Sequence, residues 1–478
     1  MNISLVLNMA ADAAPERIAL VCGGRRWSYG ALLSAARGAA LEIQASGASH
    51  VALLDESSEA AAIALFGAAL AGVPYIPLNY RLADQDLGAL LDRIAPAFVI
   101  GDSARAARLS AGHVVKSRAD FVGAAEARGV AADDLPEPEE TIAVQLFTSG
   151  TTAAPKAAIL RHANLLSYIL GTVEFMSAEE EEAALVSVPP YHVAGIAALL
   201  SSVYAMRRIV LLPAFEPDAW IDLVQRETVT SAFIVPTMLS RIIERIEQKE
   251  NHSSLRLAAE GGGRMPAELI DRALKLFPKT GFTNGYGLTE TSSTIALLGP
   301  EDHREAHRSD DPAIHARLGS VGKPLPTVEI EIRDEDGKVL PPGERGEIYV
   351  RGEQVSGEYK ERSALDADGW FPTRDAGWID EHGFLYLAGR ADDVIVRGGE
   401  NISPGEIEDV LLAHPAIADA CAVAAPSVEW GEAVAIAVVP RAGHAAPSDA
   451  ELCALIKERL RSSRVPERVA VLDALPYN

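Results

Sequence analysis

Residues 146–156 of the chain read Leu-Phe-Thr-Ser-Gly-Thr-Thr-Ala-Ala-Pro-Lys. Five of the six residues from Thr148 to Ala153 are glycine or carry a hydroxyl group, and Lys156 follows closely. Small residues let backbone N–H groups approach an anion, hydroxyl groups add donors, and the ammonium group adds positive charge. The stretch therefore predicts a loop that cradles phosphate groups. A plain Ser/Thr/Gly turn is the alternative, and the spacing does not match G-x-x-x-x-G-K-[ST].

On both sides of this loop the chain alternates strand-like and helical patterns. Before it, we predict a hairpin around Gly23-Gly24, a helix over Tyr29–Ala45, and a buried helix that runs into a strand over the uncharged stretch Ala60–Leu78. After it, buried strands alternate with helices. The strands are Ala183–Val188, Arg208–Leu212 and Ser231–Val235, and the helices between them are Asp218–Arg226 and Met238–Gln248. The alternation predicts an α/β fold, with a large N-terminal domain of mixed, largely parallel sheets flanked by helices.

The pattern changes in the last third of the chain. Residues 327–350 read as a small antiparallel β unit, and a domain boundary is predicted near residue 390. Beyond it, a small α+β pattern contains two helix-start signals, Ser403-Pro-Gly-Glu406 and Ser448-Asp-Ala-Glu451. We therefore predict two domains, 1–390 and 391–478.

The composition excludes several classes of protein. The 478 residues include 43 Lys and Arg against 67 Asp and Glu, a net charge of −24, which argues against a nucleic-acid or anionic-membrane binder. A small anionic ligand is still compatible, because it needs only a local pocket of N–H and cationic groups. The three cysteines lie far apart and have no zinc spacing, so we expect a reducing cytoplasm, and we expect neither a signal peptide nor an integral membrane segment.

Five further segments follow the loop in order. They are Pro189-Pro-Tyr-His-Val-Ala-Gly195, Gly261-Gly-Gly263, Gly285-Tyr-Gly-Leu-Thr-Glu290, Thr373-Arg-Asp375 and Gly389-Arg-Ala-Asp-Asp-Val-Ile-Val-Arg-Gly-Gly-Glu-Asn401. Together with residues 148–156, this set resembles the signature of the adenylate-forming superfamily, which holds acyl- and aryl-CoA synthetases, luciferases and peptide-synthetase adenylation domains. The resemblance extends over nearly the whole chain and is strongest to an acyl- or aryl-CoA synthetase.

The resemblance implies a reaction in two halves. A carboxylate attacks the α-phosphorus of ATP to give an acyl-adenylate and pyrophosphate, and the thiol of coenzyme A then displaces AMP. Thr289 would contact the α-phosphate and Glu290 would bind Mg²⁺, with a solvated glutamate as the alternative for Glu290. The implied contacts of the β- and γ-phosphates are Thr148, Ser149, Gly150, Thr151, Thr152 and Lys156.

The resemblance also implies contacts for the adenosine and the CoA arm. The adenosine contacts would be Gly261, Gly262 and Gly263 as a flat wall, Gly285, Tyr286 and Gly287 with the Tyr286 ring stacked on adenine, and Asp375 and Arg390 at the ribose. Asp392 would be the hinge, and Gly398 and Gly399 would let the pantetheine arm pass. Flexible or tight turns are the alternatives for the glycines, and an acidic surface pair is the alternative for Asp392. The family usually has Gly where this chain has Arg374.

His192 coincides with the family's gate beside the acyl carboxylate, although a lone histidine in an apolar run is more often a satisfied core residue. We favour a gate over a base, because a carboxylate substrate is already ionised. No carboxylate near His192 is available to bind an α-ammonium group, which argues against amino acids. The implied acyl pocket is small and apolar, which favours an apolar acyl or aryl acid. Its residues are His192, Val193, Gly195, Val235, Met238 and Ser292.

Leu475-Pro-Tyr-Asn478 matches the start of the family's last motif, in which a Gly-Lys pair follows within a few residues. We expect that this lysine is omitted from the sequence rather than lost from the protein. If it were lost, adenylation would be much slower.

The sequence thus predicts a cytoplasmic, ATP- and Mg²⁺-dependent acyl- or aryl-CoA synthetase with a mobile C-terminal lid. Its partners are a small-molecule carboxylic acid, ATP and CoA, and nucleic acid is not among them. An acyl-AMP ligase that loads a carrier-protein thiol is one alternative, and a nucleotide-binding protein without turnover is another. No pattern in the sequence specifies an oligomeric state.

Overall fold

A computed structural model of the chain describes residues 1–101, 105, 108–109, 112–129, 142–148, 155–249, 257–261, 265–391, 395–397, 400–427, 430–441 and 443–476. The helices in these ranges are α1 (Ser4–Ala13), α2 (Tyr29–Ser46), α3 (Glu59–Ala71), α4 (Asp84–Asp92), α5 (Arg118–Gly129), α6 (His162–Thr172), α7 (Val193–Tyr204), α8 (Pro217–Arg226), α9 (Pro236–Lys249), α10 (Ala267–Leu276), α11 (Pro300–Arg308), α12 (Pro312–His315), α13 (Pro404–Leu412) and α14 (Asp449–Arg459), with short 3₁₀ turns at Thr289–Thr291, Ala316–Gly319 and Ser462–Arg464.

The strands in the same ranges are β1 (Ile18–Cys22), β2 (Arg25–Ser28), β3 (His50–Leu54), β4 (Tyr75–Pro77), β5 (Ala97–Gly101), β6 (Val114–Ser117), β7 (Ile142–Thr148), β8 (Lys156–Arg161), β9 (Ala183–Val186), β10 (Arg208–Leu211), β11 (Ser231–Ile234), β12 (Leu257–Gly261), β13 (Gly281–Leu288), β14 (Ser293–Leu298), β15 (Lys323–Pro324), β16 (Glu329–Arg333), β17 (Gly346–Arg351), β18 (Glu358–Tyr359), β19 (Arg362–Ser363), β20 (Phe371–Ile379), β21 (Leu385–Arg390), β22 (Ile395–Arg397), β23 (Glu400–Ile402), β24 (Ile417–Ser427), β25 (Gly431–Pro440) and β26 (Arg468–Val471).

The first large sheet has the strand order β15-β14-β13-β12-β11-β9-β10-β1-β2. Its central strands, from β13 to β1, pair in parallel, and antiparallel strands close both edges. The hairpin predicted around Gly23-Gly24 is the edge pair β1–β2. All of β9 and most of β10 are buried, as expected of parallel strands that are covered on both faces.

The second large sheet has the strand order β19-β18-β8-β7-β4-β3-β5-β6. The strands from β7 to β6 pair in parallel, whereas β8, β18 and β19 join antiparallel. The two mixed, largely parallel sheets confirm the fold class that the alternating pattern predicts.

Helix α3 lies between the two large sheets, in contact with β1 of the first sheet and with β3 and β4 of the second. Every residue from Ala60 to Ala69 is buried, which is where a helix that is apolar on all sides belongs. At Gly67 an added Cβ would lie 2.8 Å from the Cβ of Ala39 in α2, so the small residues allow close helix packing. The stretch Ala60–Leu78 is therefore a core helix followed by a strand, as predicted. In the described ranges no helix is long and apolar enough to cross a bilayer.

Two smaller β units follow the large sheets. Strands β16 and β17 form the antiparallel pair predicted over residues 327–350, and β20 and β21 extend it to a four-stranded unit. The last sheet, β23-β22-β25-β24 with β26 beside β25, packs against α13 and α14 around a core of its own that includes Ile407, Ile436 and Leu452. The chain thus has a large N-terminal domain and a small α+β C-terminal domain. The boundary at residue 390 and the mobility of the smaller domain stay predictions.

The two predicted helix-start signals have different outcomes. In α14, Ser448 and Glu451 form the expected reciprocal capping box. In α13, the predicted cap by Ser403 is wrong, because its hydroxyl group donates to the carbonyl of Ala388 in β21 and makes no cap bond. The local sequence pattern assigns the Ser403 hydroxyl group to the end of α13, but in the fold this group bonds to a different strand.

The three cysteines are free thiols in different surroundings. Cys22 lies in β1 and is 7% exposed, and burial, together with Glu59, raises the pKa of its thiol to about 11. Cys421 in β24 and Cys453 in α14 are half-buried. The large domain therefore holds a shielded thiol and the small domain holds two more accessible ones.

We expect Gly38→Ala to lower the melting temperature. Gly38 lies where α2 contacts α5, and an added Cβ would be 1.9 Å from the carbonyl oxygen of Ala125, so the helices would have to separate. Overpacking of this kind costs about 1–3 kcal/mol. Gly88→Ala in α4 is the matched control, because nothing lies within 4 Å of its added Cβ and the gain in helix propensity is up to about 1 kcal/mol. Equal melting temperatures for the two variants would contradict the packing described here.

Candidate active site

Several predicted site segments follow strands that end at one edge of the first sheet. Strands β13, β12, β11 and β9 are parallel neighbours, so their carboxyl ends lie side by side. Thr289 follows β13, Gly261 closes β12, Val235 follows β11, and His192 lies beyond β9. Ligands of open α/β sheets bind outside the carboxyl ends of the strands, so this edge is the natural place for a site.

The phosphate loop connects β7 and β8 of the second sheet. Thr148 lies opposite Lys156 in this antiparallel hairpin, and both side chains are half-buried. Among the described residues, no carboxylate lies within ion-pair distance of Lys156, whose ammonium nitrogen is 5.7 Å from the centre of the Tyr359 ring. The hairpin therefore brings the two ends of the loop together and leaves the ammonium charge of Lys156 available to a ligand.

Arg93 contacts the described residues that flank the loop. Its Nη1 donates to the carbonyl oxygen of Pro155 at 2.6 Å, its guanidinium group lies 4.9 Å from the centre of the Phe147 ring, and its Nη2 contacts Glu361 at 3.2 Å. One cation thus contacts residues on both sides of the loop. The sequence analysis missed Arg93, because no motif links it to residues 146–156.

Glu290 lies in the 3₁₀ turn after β13 and is 8% exposed. The Tyr359 hydroxyl group donates to its Oε1 at 2.6 Å, and burial together with Glu290 raises the pKa of that phenol, which therefore stays protonated. No hydrogen bond reaches Oε2 of Glu290 from the described residues. The backbone N–H groups of Ser356 and Gly357 donate to the Glu290 carbonyl oxygen at 2.8 and 3.1 Å. Both the backbone and the side chain of Glu290 are therefore held by the segment that contains β18.

Buried polar contacts fix the turn that carries Thr289 and Glu290. Gln354, which is fully buried, donates through Nε2 to the carbonyl oxygens of Thr291 and Thr294 at 3.1 and 2.8 Å. At Gly287 an added Cβ would lie 1.8 Å from the carbonyl oxygen of Ser293, so β13 and β14 approach as closely as glycine allows. The half-buried Thr289 side chain and the Glu290 carboxylate thus have a rigid support.

Asp375 and Arg390 lie opposite each other in β20 and β21. Arg390 Nη1 donates to Oδ1 of Asp375 at 3.0 Å, and the Tyr286 hydroxyl group donates to Oδ2 at 2.5 Å. Burial, reinforced by the negative charge of Asp375, raises the pKa of the Tyr286 phenol well above its usual value, so it stays a donor. Arg390 and Tyr286 thus hold both oxygens of the Asp375 carboxylate.

Two details bear on the nucleotide predictions. The Tyr286 residue is only 8% exposed and packs in the core near Ile295 and Val321, so little of its ring face is open for adenine stacking.

Arg374 has a φ of 64°, in the left-handed region that favours glycine. The conformation gives a physical reason for the family's preference for Gly at this position.

His192 lies directly before α7 and its side chain is exposed to solvent, although neighbouring groups partly desolvate the imidazole. Desolvation lowers the pKa of its imidazole below the usual 6.5, and the positive charge of Arg81 lowers it further. The Tyr191 ring is 4.6 Å away and contacts Tyr80 edge to face at 5.6 Å. The imidazole of His192 is therefore neutral at pH 7.

The other predicted acyl-pocket residues differ in accessibility. Val193 and Val235 are half-buried and Met238 is buried. Gly195 is buried at the start of α7, where an added Cβ would lie 3.1 Å from the carbonyl oxygen of Pro189. Ser292 is fully buried with a φ of 57°, and among the described residues its hydroxyl group has no partner. The valines leave surface for a ligand, whereas Ser292 offers none in this arrangement.

Some predicted residues cannot be placed. Ser149, Gly150, Thr151, Thr152, Gly262, Gly263, Asp392, Gly398 and Gly399 lie outside the described residues. Gly261 and Gly285 lie within them and pair in register in β12 and β13.

The residues present fit a magnesium ion bound to a nucleotide. Glu290 offers one carboxylate oxygen that has no hydrogen-bond partner among the described residues, and Mg²⁺ is commonly held by one or two carboxylates together with phosphate oxygens and water. No group of three or more His, Cys, Asp and Glu side chains in the described ranges could form an all-protein cage. The carboxylate of Glu290 would therefore share such an ion with the phosphates.

Comparisons with known proteins agree over nearly the whole chain. The family described as AMP-binding enzyme matches residues 7–360, and the AMP-binding enzyme C-terminal domain matches residues 406–478. A feruloyl-CoA synthase from an Amycolatopsis species is 32% identical, and the match covers 98% of this chain and 94% of the relative. A 2-succinylbenzoate–CoA ligase from Bacillus subtilis is 33% identical, with 99% of this chain and 94% of the relative covered.

A solved structure gives the same result. The o-succinylbenzoate CoA synthetase from Bacillus subtilis, in complex with ATP and a magnesium ion, has a TM-score of 0.82 and 30% identity, with 98% of this chain and 96% of that chain covered. The chain therefore belongs to the family of AMP-binding enzymes.

Proposed function

We propose that the chain is an ATP-dependent acyl- or aryl-CoA synthetase. It joins a carboxylic acid to AMP with release of pyrophosphate, and then transfers the acyl group to CoA with release of AMP. The observation that carries the proposal is that two motifs far apart in the sequence lie together in the fold. The ammonium group of Lys156, beside the phosphate loop, lies near the Tyr359 ring, and the hydroxyl group of the same tyrosine donates to the carboxylate of Glu290. The relatives, which are CoA ligases, support the same reaction.

Each part of the site has a role in the first half-reaction. Lys156 and Thr148, together with Ser149, Gly150, Thr151 and Thr152, would bind the β- and γ-phosphates, and Thr289 would contact the α-phosphate. Glu290 would hold Mg²⁺, which neutralises phosphate charge and so stabilises the transition state. Asp375 and Arg390 would orient the ribose, which fixes the α-phosphorus relative to the attacking carboxylate.

The acid side of the site needs no base. A carboxylate with an ordinary pKa is ionised at pH 7, so its oxygen can attack directly. His192, neutral and accessible, would be a gate beside the acyl carboxylate. The half-buried Val193 and Val235 support an apolar acyl or aryl acid. The proposal includes a cytoplasmic location, supported by ATP and CoA as substrates and by the three free thiols.

We expect the full-length protein to release AMP only when ATP, a suitable carboxylic acid and CoA are all present. The measurement is a panel of aliphatic and aromatic acids, including ferulate and 2-succinylbenzoate, with AMP, ADP and pyrophosphate resolved by chromatography. Replacement of CoA by a phosphopantetheinylated carrier protein gives the second arm. ADP as the product would contradict the proposal, and acyl transfer to the carrier alone would favour a carrier-protein ligase.

We expect Glu290→Gln to slow carboxylate-dependent pyrophosphate exchange by about 100-fold or more, because a neutral amide holds Mg²⁺ poorly and transition-state charge is left uncompensated. Glu301→Gln, at the exposed start of α11, is the matched control and should exchange at the wild-type rate. If the Glu290→Gln variant exchanges pyrophosphate at the wild-type rate, Glu290 does not hold the metal.

We expect Arg81→Gln to raise the pKa of His192, because loss of a nearby positive charge favours the imidazolium form. The pKa should still lie below 6.5, since desolvation is the larger cause of its depression. Titration of the imidazole C–H resonances by NMR measures both effects, with Arg468→Gln in β26 as a distant control. No change in the His192 titration would mean that Arg81 does not act on this histidine.

A further inference from the structure

One tyrosine outside the predicted motifs contacts both charged groups of the proposed phosphate–metal site. Tyr359 is the second residue of the two-residue strand β18. Its hydroxyl group donates to Oε1 of Glu290 at 2.6 Å, and its ring centre lies 5.7 Å from the ammonium nitrogen of Lys156. A cation within about 6 Å of an aromatic ring is attracted to its face. The same side chain thus constrains an anion from the first sheet and a cation from the second.

The strand that carries Tyr359 is firmly held on β8. Tyr359 pairs in register with Ala158, and the backbone N–H of Lys360 donates to the carbonyl oxygen of Ala157 at 2.9 Å. The neighbouring Glu358 accepts two hydrogen bonds from Arg161, each of 2.8 Å. A bidentate ion pair of this kind fixes direction as well as distance. The backbone of Tyr359 therefore stays beside the site as long as β18 stays paired with β8.

The same segment also holds the backbone of Glu290. The N–H groups of Ser356 and Gly357 donate to the Glu290 carbonyl oxygen, and the Ser356 hydroxyl group donates to the carbonyl of Ile159. Residues 356–359 thus connect the turn that carries Glu290 to the strand that begins with Lys156. With both its backbone and Oε1 fixed, Glu290 presents Oε2 in one direction.

We propose that Tyr359 is a positioning residue for the Mg²⁺–triphosphate site, where its phenol aims the free oxygen of Glu290 at the metal and its ring keeps the Lys156 ammonium group on the phosphate side. The inference rests on the proposed function, which supplies the ion and the nucleotide. An outer partner that orients a metal ligand typically contributes 10-fold to 100-fold to metal affinity, so the effect is large enough to measure without turnover.

Tyr359→Phe removes one hydroxyl group and keeps the ring. We expect Mg²⁺ to support ATP binding with an apparent dissociation constant about 10-fold or more above that of the wild type, measured by calorimetric titration of ATP at a series of Mg²⁺ concentrations. Binding of AMP without metal should be unchanged, which also establishes that the variant is folded. Tyr349→Phe in β17 is the matched control, since its hydroxyl group has no hydrogen-bond partner in the described part of the chain, and it should match the wild type.

A second pair of measurements tests whether the effect passes through Glu290. In the Glu290→Gln background, the phenol no longer orients a metal-binding carboxylate, so adding Tyr359→Phe should change the Mg²⁺ dependence by less than about 2-fold, a non-additive result. Glu358→Gln loosens β18 without altering Tyr359, Glu290 or Lys156. This variant should weaken Mg²⁺-supported ATP binding, as Tyr359→Phe does.

The outcomes separate this inference from the proposed function. If the wild-type protein does not bind ATP in a Mg²⁺-dependent way, the proposed function itself is wrong. Wild-type protein with such binding, combined with an unchanged Mg²⁺ dependence in Tyr359→Phe or with full additivity in the double variant, would overturn the role of Tyr359 alone.

Discussion

The tight packing of α3 between the two large sheets is the constraint on which the site depends. The phosphate loop connects strands of the second sheet, whereas Glu290 follows a strand of the first. These two groups can meet only if the sheets approach closely, and the small side chains of α3 permit that approach. Close packing of this kind transmits displacement, because an interior with few voids cannot absorb an added methylene without moving its neighbours. The positions of the charged groups of the site thus depend on alanine and glycine in the core.

Local patterns predicted most of the fold because they reflect local physics. Continuous apolar runs predicted β9, β10 and β11, and Gly23-Gly24 predicted the β1–β2 hairpin. The sequence also indicated which segments would surround a nucleotide. Tyr359, Arg93 and Gln354 were not predictable, because each acts through partners far along the chain and lies in a short or irregular segment. Ser403 is a local pattern that a distant partner overrides, since its hydroxyl group bonds to a carbonyl in a different strand instead of to its own helix.

The charge distribution explains how an acidic chain can bind an anionic substrate. The net charge of −24 is a property of the whole surface, whereas recognition depends on the groups within a few ångströms of the ligand. Arg93 supports the phosphate loop, Lys156 has no carboxylate partner in the described ranges, and Arg390 accompanies Asp375. Of these three cations, Arg93 is balanced by Glu361 and Arg390 by Asp375, so the charge of Lys156 is left for the ligand. Specificity for an anion therefore depends on where the cationic side chains lie and not on the net charge of the chain.

The three thiols allow opening of the two domains to be followed separately. The thiolate is the form of cysteine that attacks an alkylating reagent, and burial combined with a pKa of about 11 leaves Cys22 with very little thiolate while β1 stays in its sheet. Labelling of Cys22 would thus record unfolding of the large domain, whereas the half-buried Cys421 and Cys453 would record local opening of the small domain. Mass spectrometry of the alkylated peptides would give a free energy for each domain from a single wild-type sample, with no introduced probe.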